Sequence, residues 1–310
     1  MSENMEKVYD VIVVGSGPAG LTAALYCARA GYETLVLEKY IPGGQMVTSN
    51  EIENYPGFPE AVDGFTLTMN MKKQAERFGA KQTYGNVTAL RLDGDVKILE
   101  TEDGAVYRAK SVVLAPGAAP RTLGLPNEDA LRGKGVSYCA TCDGMFYRDK
   151  TVVVVGGGDT AAADAVFLSK ICKKVYLVHR RDALRASKAY LSPLQRCENV
   201  EFVWNTTVEE ILAQEKVTAV AVKNVKSGAY TMIDCDGVFV AVGNVPNTKL
   251  VQGQVALNAG GYIAAGESTK TNIPGVFAAG DVREKPLRQV VTAVSDGAVA
   301  AKFAEEYLSE

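Results

Sequence analysis

Two stretches of this 310-residue chain carry the same order of apolar and polar positions. Val8 to Val14 is a nearly continuous apolar run, followed by Gly15-Ser16-Gly17-Pro18-Ala19-Gly20 and an Ala/Leu-rich stretch reaching Ala30. Later, Thr151 to Val155 leads into Gly156-Gly157-Gly158-Asp159-Thr160-Ala161 and a second helical stretch to about Lys170. An apolar run of strand length, closed by glycines and followed by a helical pattern, predicts a buried parallel strand, a tight turn and a helix. Another apolar strand comes after each helix, Thr34 to Leu37 and Val175 to Val178, which completes two βαβ units.

The remaining segments fit around these units. Thr66 to Gly79 predicts a helix with Phe65, Leu67, Met71, Ala75 and Phe78 on its apolar face. Val87 to Leu99 and Ala105 to Leu114 alternate as strands, with Asp93-Gly94 and Asp103-Gly104 as turns, and a similar meander is predicted over Val217 to Val222 and Tyr230 to Val242. Val276 to Leu308 offers one short strand and one long helix, too little to fold alone, so it is expected to return to the first domain. The predicted fold class is α/β: two Rossmann-like nucleotide-binding domains, each a parallel sheet with a β-meander. Residues 1–117 and 246–310 form the discontinuous first domain and 118–245 the second, with proline-bearing hinges near Pro116 to Pro126 and Gly243 to Asn247.

Composition narrows the function. With 33 basic against 36 acidic residues the chain lacks the charge footprint of a nucleic-acid binder, and none is expected as a partner. The first ten residues are polar, and the apolar run after them is too short for a secretory or membrane-spanning segment, so a cytoplasmic location without membrane attachment is expected. Of the 6 cysteines, Cys27, Cys172, Cys197 and Cys235 are isolated and read as small buried hydrophobes. Only Cys139 and Cys142 form a close pair.

Each glycine motif sits between a strand and a helix, the context that gives it meaning. Gly15 and Gly156 allow the tight turn, Gly17 and Gly158 let a pyrophosphate approach the backbone, and Gly20 and Ala161 permit close helix–strand packing. Pro18, Ala19, Asp159 and Thr160 open the two helices, whose N-termini face the anion. The residues after the second strands differ. Glu38 is placed to accept hydrogen bonds from a ribose 2′-hydroxyl, which suits the adenosine of FAD. His179-Arg180-Arg181, with Arg185 one turn on, offers guanidinium groups where a carboxylate would repel a 2′-phosphate, so this site favours NADPH over NADH. A solvated charged face is the other reading of the arginines.

In Cys139-Ala140-Thr141-Cys142-Asp143-Gly144, two intervening residues let the sulfurs form a small redox-active disulfide. Zinc is the main rival, but it normally needs four ligands and the chain has no second Cys/His pair. Asp143 is the natural proton source, or else only caps the following turn.

These motifs resemble the signature of low-molecular-weight thioredoxin reductases. So do Gly43-Gly44-Gln45, Glu53-Asn54-Tyr55-Pro56-Gly57-Phe58, Pro246-Asn247-Thr248, Ala279-Gly280-Asp281 and Arg288-Gln289-Val290, in the family's order over nearly the whole chain. The resemblance implies that Gly15 to Gly20, Glu38, Gly43, Gly44, Gln45, Asn54, Gly280, Asp281, Arg288, Gln289 and Val290 hold FAD. It implies that Cys142 faces the flavin, that Cys139 attacks the protein substrate and that Asp143 is the acid–base group. Thioredoxin or a thioredoxin-like protein would be the partner and the enzyme a homodimer. Because the cysteine pair and the NADPH turn both lie on the second domain and must reach one flavin on the first, the second domain is expected to rotate about its hinges during turnover. Ala115-Pro116-Gly117 and Ala163-Asp164 depart from the family pattern. A dithiol oxidase of the same family would not need the arginines, a ferredoxin–NADP reductase would lack the paired cysteines, and a redox sensor would show no turnover.

Overall fold

The structure is a computed structural model that describes residues 7–49 and 51–310, so most of the polar leader lies outside the described residues. The chain divides into two compact units: unit 1 runs up to Ala119 and resumes at Val245, and unit 2 is Pro120–Asn244.

Unit 1 opens with β1 (Val8–Val14), α1 (Pro18–Arg29) and β2 (Thr34–Glu38), then α2 (Gly64–Arg77) and the strands β3 (Lys81–Tyr84), β4 (Val87–Arg91), β5 (Lys97–Thr101) and β6 (Val106–Leu114). The sheet order is β3-β2-β1-β6-β5-β4. β1 runs parallel to both β2 and β6, in register Val14↔Leu37 and Val14↔Leu114, whereas β4 and β5 are antiparallel additions. Burial on both faces explains why β1 reads as an uninterrupted apolar run. α2 starts two residues earlier than its periodicity predicts, because the Asp63 carboxylate accepts the Thr66 N–H at 2.8 Å and caps it. Leu67 and Ala75 of its expected face are buried; Phe65 and Phe78 are exposed.

The chain then enters a short strand, β7 (Ala118–Pro120), and unit 2 follows with β8 (Val136–Ser137), α3 (Ala140–Asp143), β9 (Thr151–Gly156), α4 (Asp159–Ser169), β10 (Lys174–Val178), α5 (Lys188–Leu194) and β11 (Val200–Val203). Three antiparallel strands, β12 (Thr206–Ala213), β13 (Val217–Asn224) and β14 (Tyr230–Asp234), precede β15 (Gly237–Ala241). The parallel sheet has the order β11-β10-β9-β15-β8 and the meander the order β12-β13-β14. The segment Tyr230 to Val242, expected as one strand, is therefore two strands in different sheets, broken at Cys235-Asp236.

The chain leaves through β16 (Asn244–Pro246), which pairs with β7, and ends in unit 1 with β17 (Val276–Ala278) and α6 (Val290–Ser309). β17 runs parallel to the end of β6, so the C-terminal segment does complete the first sheet. α6 lies so close to α1 that a Cβ at Gly297 would run into the Ala19 carbonyl. No helix among the described residues is long and apolar enough to cross a membrane.

Candidate functional site

In unit 1 the candidate residues converge at the C-terminal ends of the parallel strands. There β1 has one neighbour, β2, reached through α1, and the other, β6, on its opposite side. That reversal is where open α/β sheets leave a crevice. Gly15 turns the chain with φ 101°, a left-handed conformation that favours glycine, and a Cβ there would meet the Ala115 carbonyl. A Cβ at Gly20 would run into the Gly15 carbonyl, so this glycine sets how closely α1 approaches the turn. At Gly17, the α1 N-cap, the nearest atom to an added Cβ is the Gly43 carbonyl oxygen at 4.0 Å, which leaves the backbone open to a ligand. Pro18 at the first helical position gives up no needed hydrogen bond.

Glu38 is fixed from the same turn. One carboxylate oxygen accepts the Ser16 N–H at 2.7 Å and the Ser16 hydroxyl at 2.8 Å, and the other accepts the Tyr40 N–H at 3.0 Å. Gly43 donates its N–H to the Ser16 carbonyl at 2.9 Å, Gln45 donates its side-chain amide to the Ala118 carbonyl, and Asn54 donates to the Gln289 side chain at 3.0 Å. Gln289 caps α6 in a reciprocal pair with Thr292, and Val290 is the first residue of that helix. Gly280 abuts Ala19 of α1. Thus Gly15 to Gly20, Glu38, Gly43, Gln45, Asn54, Gly280-Asp281 and Arg288 to Val290 are drawn into one region of unit 1.

Two polar atoms there are left over. Asp281 Oδ1 and Arg288 Nε are buried and have no hydrogen-bond partner among the described residues. Burial raises the Asp281 carboxyl above its ordinary value, against the pull of Lys285 and Arg288. The Arg288 guanidinium carbon lies 4.2 Å from the centre of the Tyr262 ring. Buried orphans are costly unless something pairs with them. An open backbone at Gly17, an acceptor at Asp281 and a donor at Arg288 fit a bound dinucleotide with hydroxyls and a pyrophosphate.

Unit 2 carries the second cradle. Gly158 is the α4 N-cap, and nothing lies within 4 Å of an added Cβ, whereas a Cβ at Gly157 would strike the His179 ring. The segment after β10 folds back over this turn: the Arg185 N–H donates to the Gly157 carbonyl at 2.7 Å and the Ser187 N–H to Asp159 at 2.6 Å. Thr160, in the first turn of α4, is exposed. Arg180, Arg181 and Arg185 are exposed and form no ion pair among the described residues, because the nearby Asp182 is taken by Lys226 at 3.1 Å. His179 is buried with an unpartnered Nε2. Burial lowers its pKa, which favours the neutral ring; a main-chain hydrogen bond at Ala183 opposes this, and the charges of Arg180, Arg181 and Arg185 add smaller pushes in the same direction as burial. Three cations around an open helix N-terminus suit a phosphate.

The sulfurs of Cys139 and Cys142 are bonded to each other, with Cα atoms 5.3 Å apart. Cys139 caps α3 and is half-buried; Cys142 is exposed. Asp143, at the end of the same short helix, accepts a 2.6 Å hydrogen bond from the buried Ser137 hydroxyl. Burial pushes its carboxyl above the ordinary value, partly offset by that bond and by the Arg132 charge. Gly144 packs against Phe167 and Leu168 of α4, and a side chain there would come within 2.9 Å of the Phe167 ring. At the departures from the family pattern, the Pro116 carbonyl accepts the Asn247 amide at 2.8 Å, and burial pushes Asp164 up to about 7.

Sequence reasoning missed Ser16, Ser137, Tyr262 and a buried Arg283–Asp296–Lys285 cluster beside Gly280. Ser16 lies inside the first glycine motif, Ser137 two residues before the first paired cysteine, and Arg283 and Lys285 between two quoted motifs, but nothing in their spacing gave them a role.

Comparison with known proteins gives a consistent result. A profile of the pyridine nucleotide-disulphide oxidoreductases matches residues 9–297. The thioredoxin reductase of Peptoclostridium acidaminophilum is 46% identical over 310 residues, 98% of each chain. That of Streptomyces clavuligerus is 47% identical over 307 residues, covering 98% of this chain and 95% of its own. Among solved structures, thioredoxin reductase from Streptococcus pyogenes MGAS5005 superposes with a TM-score of 0.91 at 44% identity, covering 97% of this chain and 98% of that one. The thioredoxin reductase from Giardia duodenalis gives 0.92 at 35% identity, covering 98% and 100%.

Proposed function

The chain belongs to the pyridine nucleotide-disulphide oxidoreductases and, among them, to the thioredoxin reductases, and from that premise we propose that unit 1 holds FAD, that unit 2 holds NADPH, and that electrons leave through Cys139 and Cys142 to thioredoxin or a thioredoxin-like protein. The family uses a flavin and a pyridine nucleotide. A flavin held in the unit 1 crevice would supply hydride acceptance from a reduced nicotinamide and electron-pair delivery to a disulfide.

The side chains divide the rest of the work. The Gly15 to Gly20 turn and the α1 N-terminus receive the pyrophosphate, Glu38 the adenosine ribose, and the orphaned Asp281 Oδ1 and Arg288 Nε the remaining polar groups of FAD. Gly43, Gly44, Gln45, Asn54, Gln289 and Val290 wall the same crevice. Gly156, Gly158, Asp159 and Thr160 form the turn for the NADPH pyrophosphate, and Arg180, Arg181 and Arg185, behind a neutral His179, take its 2′-phosphate.

In the dithiol form Cys139 gives its thiol proton to the Asp143 carboxylate and attacks the partner's disulfide. One S–S bond forms and one breaks; the released partner thiolate takes a proton from solvent. Cys142 gives its proton to solvent and attacks the Cys139 sulfur, which restores the internal disulfide. The second partner sulfur leaves with the proton held by Asp143. Two thiol protons leave the enzyme and two reach the partner, so the exchange balances. A carboxyl whose hold on a proton is strengthened by burial accepts one from a thiol more readily than an ordinary carboxyl does. The observation that carries this reading is the disulfide with a desolvated, hydroxyl-held carboxyl in the same turn.

Purified protein should be yellow, should oxidise NADPH in preference to NADH when a thioredoxin is present, and should lose turnover but keep its flavin in Cys139→Ser and Cys142→Ser. Colourless protein, or turnover that survives both substitutions, would overturn the assignment. The same reading includes a homodimer, which sedimentation of the holoenzyme checks directly.

A further inference from the structure

Ser137 ends β8, paired through its neighbour Phe239 to β15, and its side chain is buried. Three groups surround its hydroxyl oxygen. The Cys139 N–H donates to it at 3.1 Å, Asp143 Oδ2 lies 2.6 Å away, and the Cys139 carbonyl lies 3.3 Å away. A serine hydroxyl has one proton and two lone pairs. It cannot donate to Asp143 and to the Cys139 carbonyl together, while the Cys139 N–H occupies one lone pair in either case.

The two placements of that proton match the two states of Asp143. A charged carboxylate has no proton to give, so Ser137 donates to it. A neutral carboxylic acid can donate to the second lone pair of the Ser137 oxygen, whose proton then turns to the Cys139 carbonyl. That carbonyl also accepts the N–H groups of Cys142 at 3.2 Å and Asp143 at 3.1 Å. We propose that Ser137 is a positioning residue, a two-way hydroxyl that keeps the Asp143 carboxyl at one place in the redox turn whether it holds a proton or not. The proposal rests on the reading of Asp143 as the acid–base group and says how that group stays in place through its cycle.

Other groups act on Asp143 without this property. The Arg132 charge favours the carboxylate. Tyr147, in the following turn, is pushed up to about 12, first by burial and then by Asp143 and Asp236, and stays neutral. On α4, packed against α3, Asp164 is raised by burial alone. Ser137 is the only one of these whose hydrogen bond can reverse. A bond to the charged form favours that form, so losing it leaves Asp143 harder to ionise.

The test is the pH dependence of kcat/KM for thioredoxin in NADPH-reduced holoenzyme, with flavin absorbance confirming intact protein. Activity that needs the Asp143 carboxylate falls on the acid side. Ser137→Ala should move that limb up by about one pH unit, the difference between a hydrogen bond to a charged carboxylate and one to a neutral carboxylic acid. Ser137→Thr, which keeps the hydroxyl, should restore the limb, and Ser137→Gly should repeat the shift if the alanine variant misfolds. Asp143→Asn should remove the limb, and adding Ser137→Ala to it should move nothing further. An acid limb that survives Asp143→Asn would refute the acid–base reading itself. A limb lost in Asp143→Asn but unmoved in Ser137→Ala or Ser137→Gly, with rates merely lower at every pH, would leave that reading standing and overturn the role of Ser137.

Discussion

Asp296 on α6 grips Arg283 with both carboxylate oxygens, one on Nη2 at 2.7 Å and the other on Nε at 2.8 Å. The second oxygen also accepts Lys285 Nζ at 2.8 Å and the main-chain N–H of Gly280 at 2.9 Å. One buried carboxylate thus ties α6 to two buried cations and to the turn that presents Asp281. Burial alone would raise its pKa, but the hydrogen bonds from Arg283 and Lys285 outweigh that and hold it below the ordinary value. Asp296→Asn leaves buried Lys285 without its ion-pair partner and buried Arg283 with only the exposed Glu267 at 3.7 Å, and should destabilise unit 1 by about 3 kcal/mol, read by urea unfolding. Because the folded pKa is depressed, the wild-type contribution is complete above the unfolded value of about 4 and is lost as pH falls through the folded one. The variant should therefore show a shallower loss of stability over that acid range. An equally steep loss would deny Asp296 this role.

Coenzyme choice should depend on the arginines after β10. With Asp182 engaged by Lys226, no carboxylate among the described residues pairs with Arg180 or Arg181. Replacing both by alanine should raise the KM for NADPH roughly 10- to 100-fold, the worth of one or two charge-assisted hydrogen bonds, with kcat and the KM for NADH nearly unchanged. Equal changes for both coenzymes would place the 2′-phosphate elsewhere.

Much of this was legible in the chain. Gly15 to Gly20 and Gly156 to Ala161 stood out because a strand buried on both faces must read as an apolar run, and the opposite charges of Glu38 and of Arg180-Arg181 are the ground on which different nucleotides are proposed for the two turns. Other parts were hidden for physical reasons. β12 carries Glu209 and Glu210 side by side with a register shift between Val208 and Glu210, so its alternation is broken. β14 and β15 run on in sequence with no helix between them, and nothing in the alternation tells an antiparallel strand from the parallel one after it. Arg283, Lys285 and Asp296 resemble a solvated charged stretch until α6 folds back over them, since pairs 11 and 13 residues apart leave no periodic trace.

The only tryptophan in the chain should report on the same coenzyme site. Trp204 stacks on Phe202 at 4.9 Å and meets the His179 ring edge-on at 6.4 Å. A 2′-phosphate drawn to the adjoining arginines changes the charge around His179 and so the surroundings of the indole. Titration with NADP⁺, which adds no fluorescence of its own, should give a saturable change in tryptophan emission that Arg180→Ala with Arg181→Ala abolishes. A change of the same size in that double variant would detach Trp204 from the site.

Flavin retention should follow how firmly Glu38 is held. Ser16 contributes its N–H and its hydroxyl to one Glu38 oxygen, so the glycine turn itself orients the group meant for the adenosine ribose. Glu38→Ala removes the acceptor and should weaken FAD binding roughly 10- to 100-fold, in line with the loss of one or two hydrogen bonds to a charged group. Ser16→Ala removes only the hydroxyl, because the main-chain donor remains, and should give a smaller loss in the same direction. FAD titration of the apoprotein of each variant, with circular dichroism to confirm the fold, separates the two. If Ser16→Ala matched Glu38→Ala, the defect would lie in the packing of the turn, where Ser16 is fully buried, and not in the carboxylate it orients.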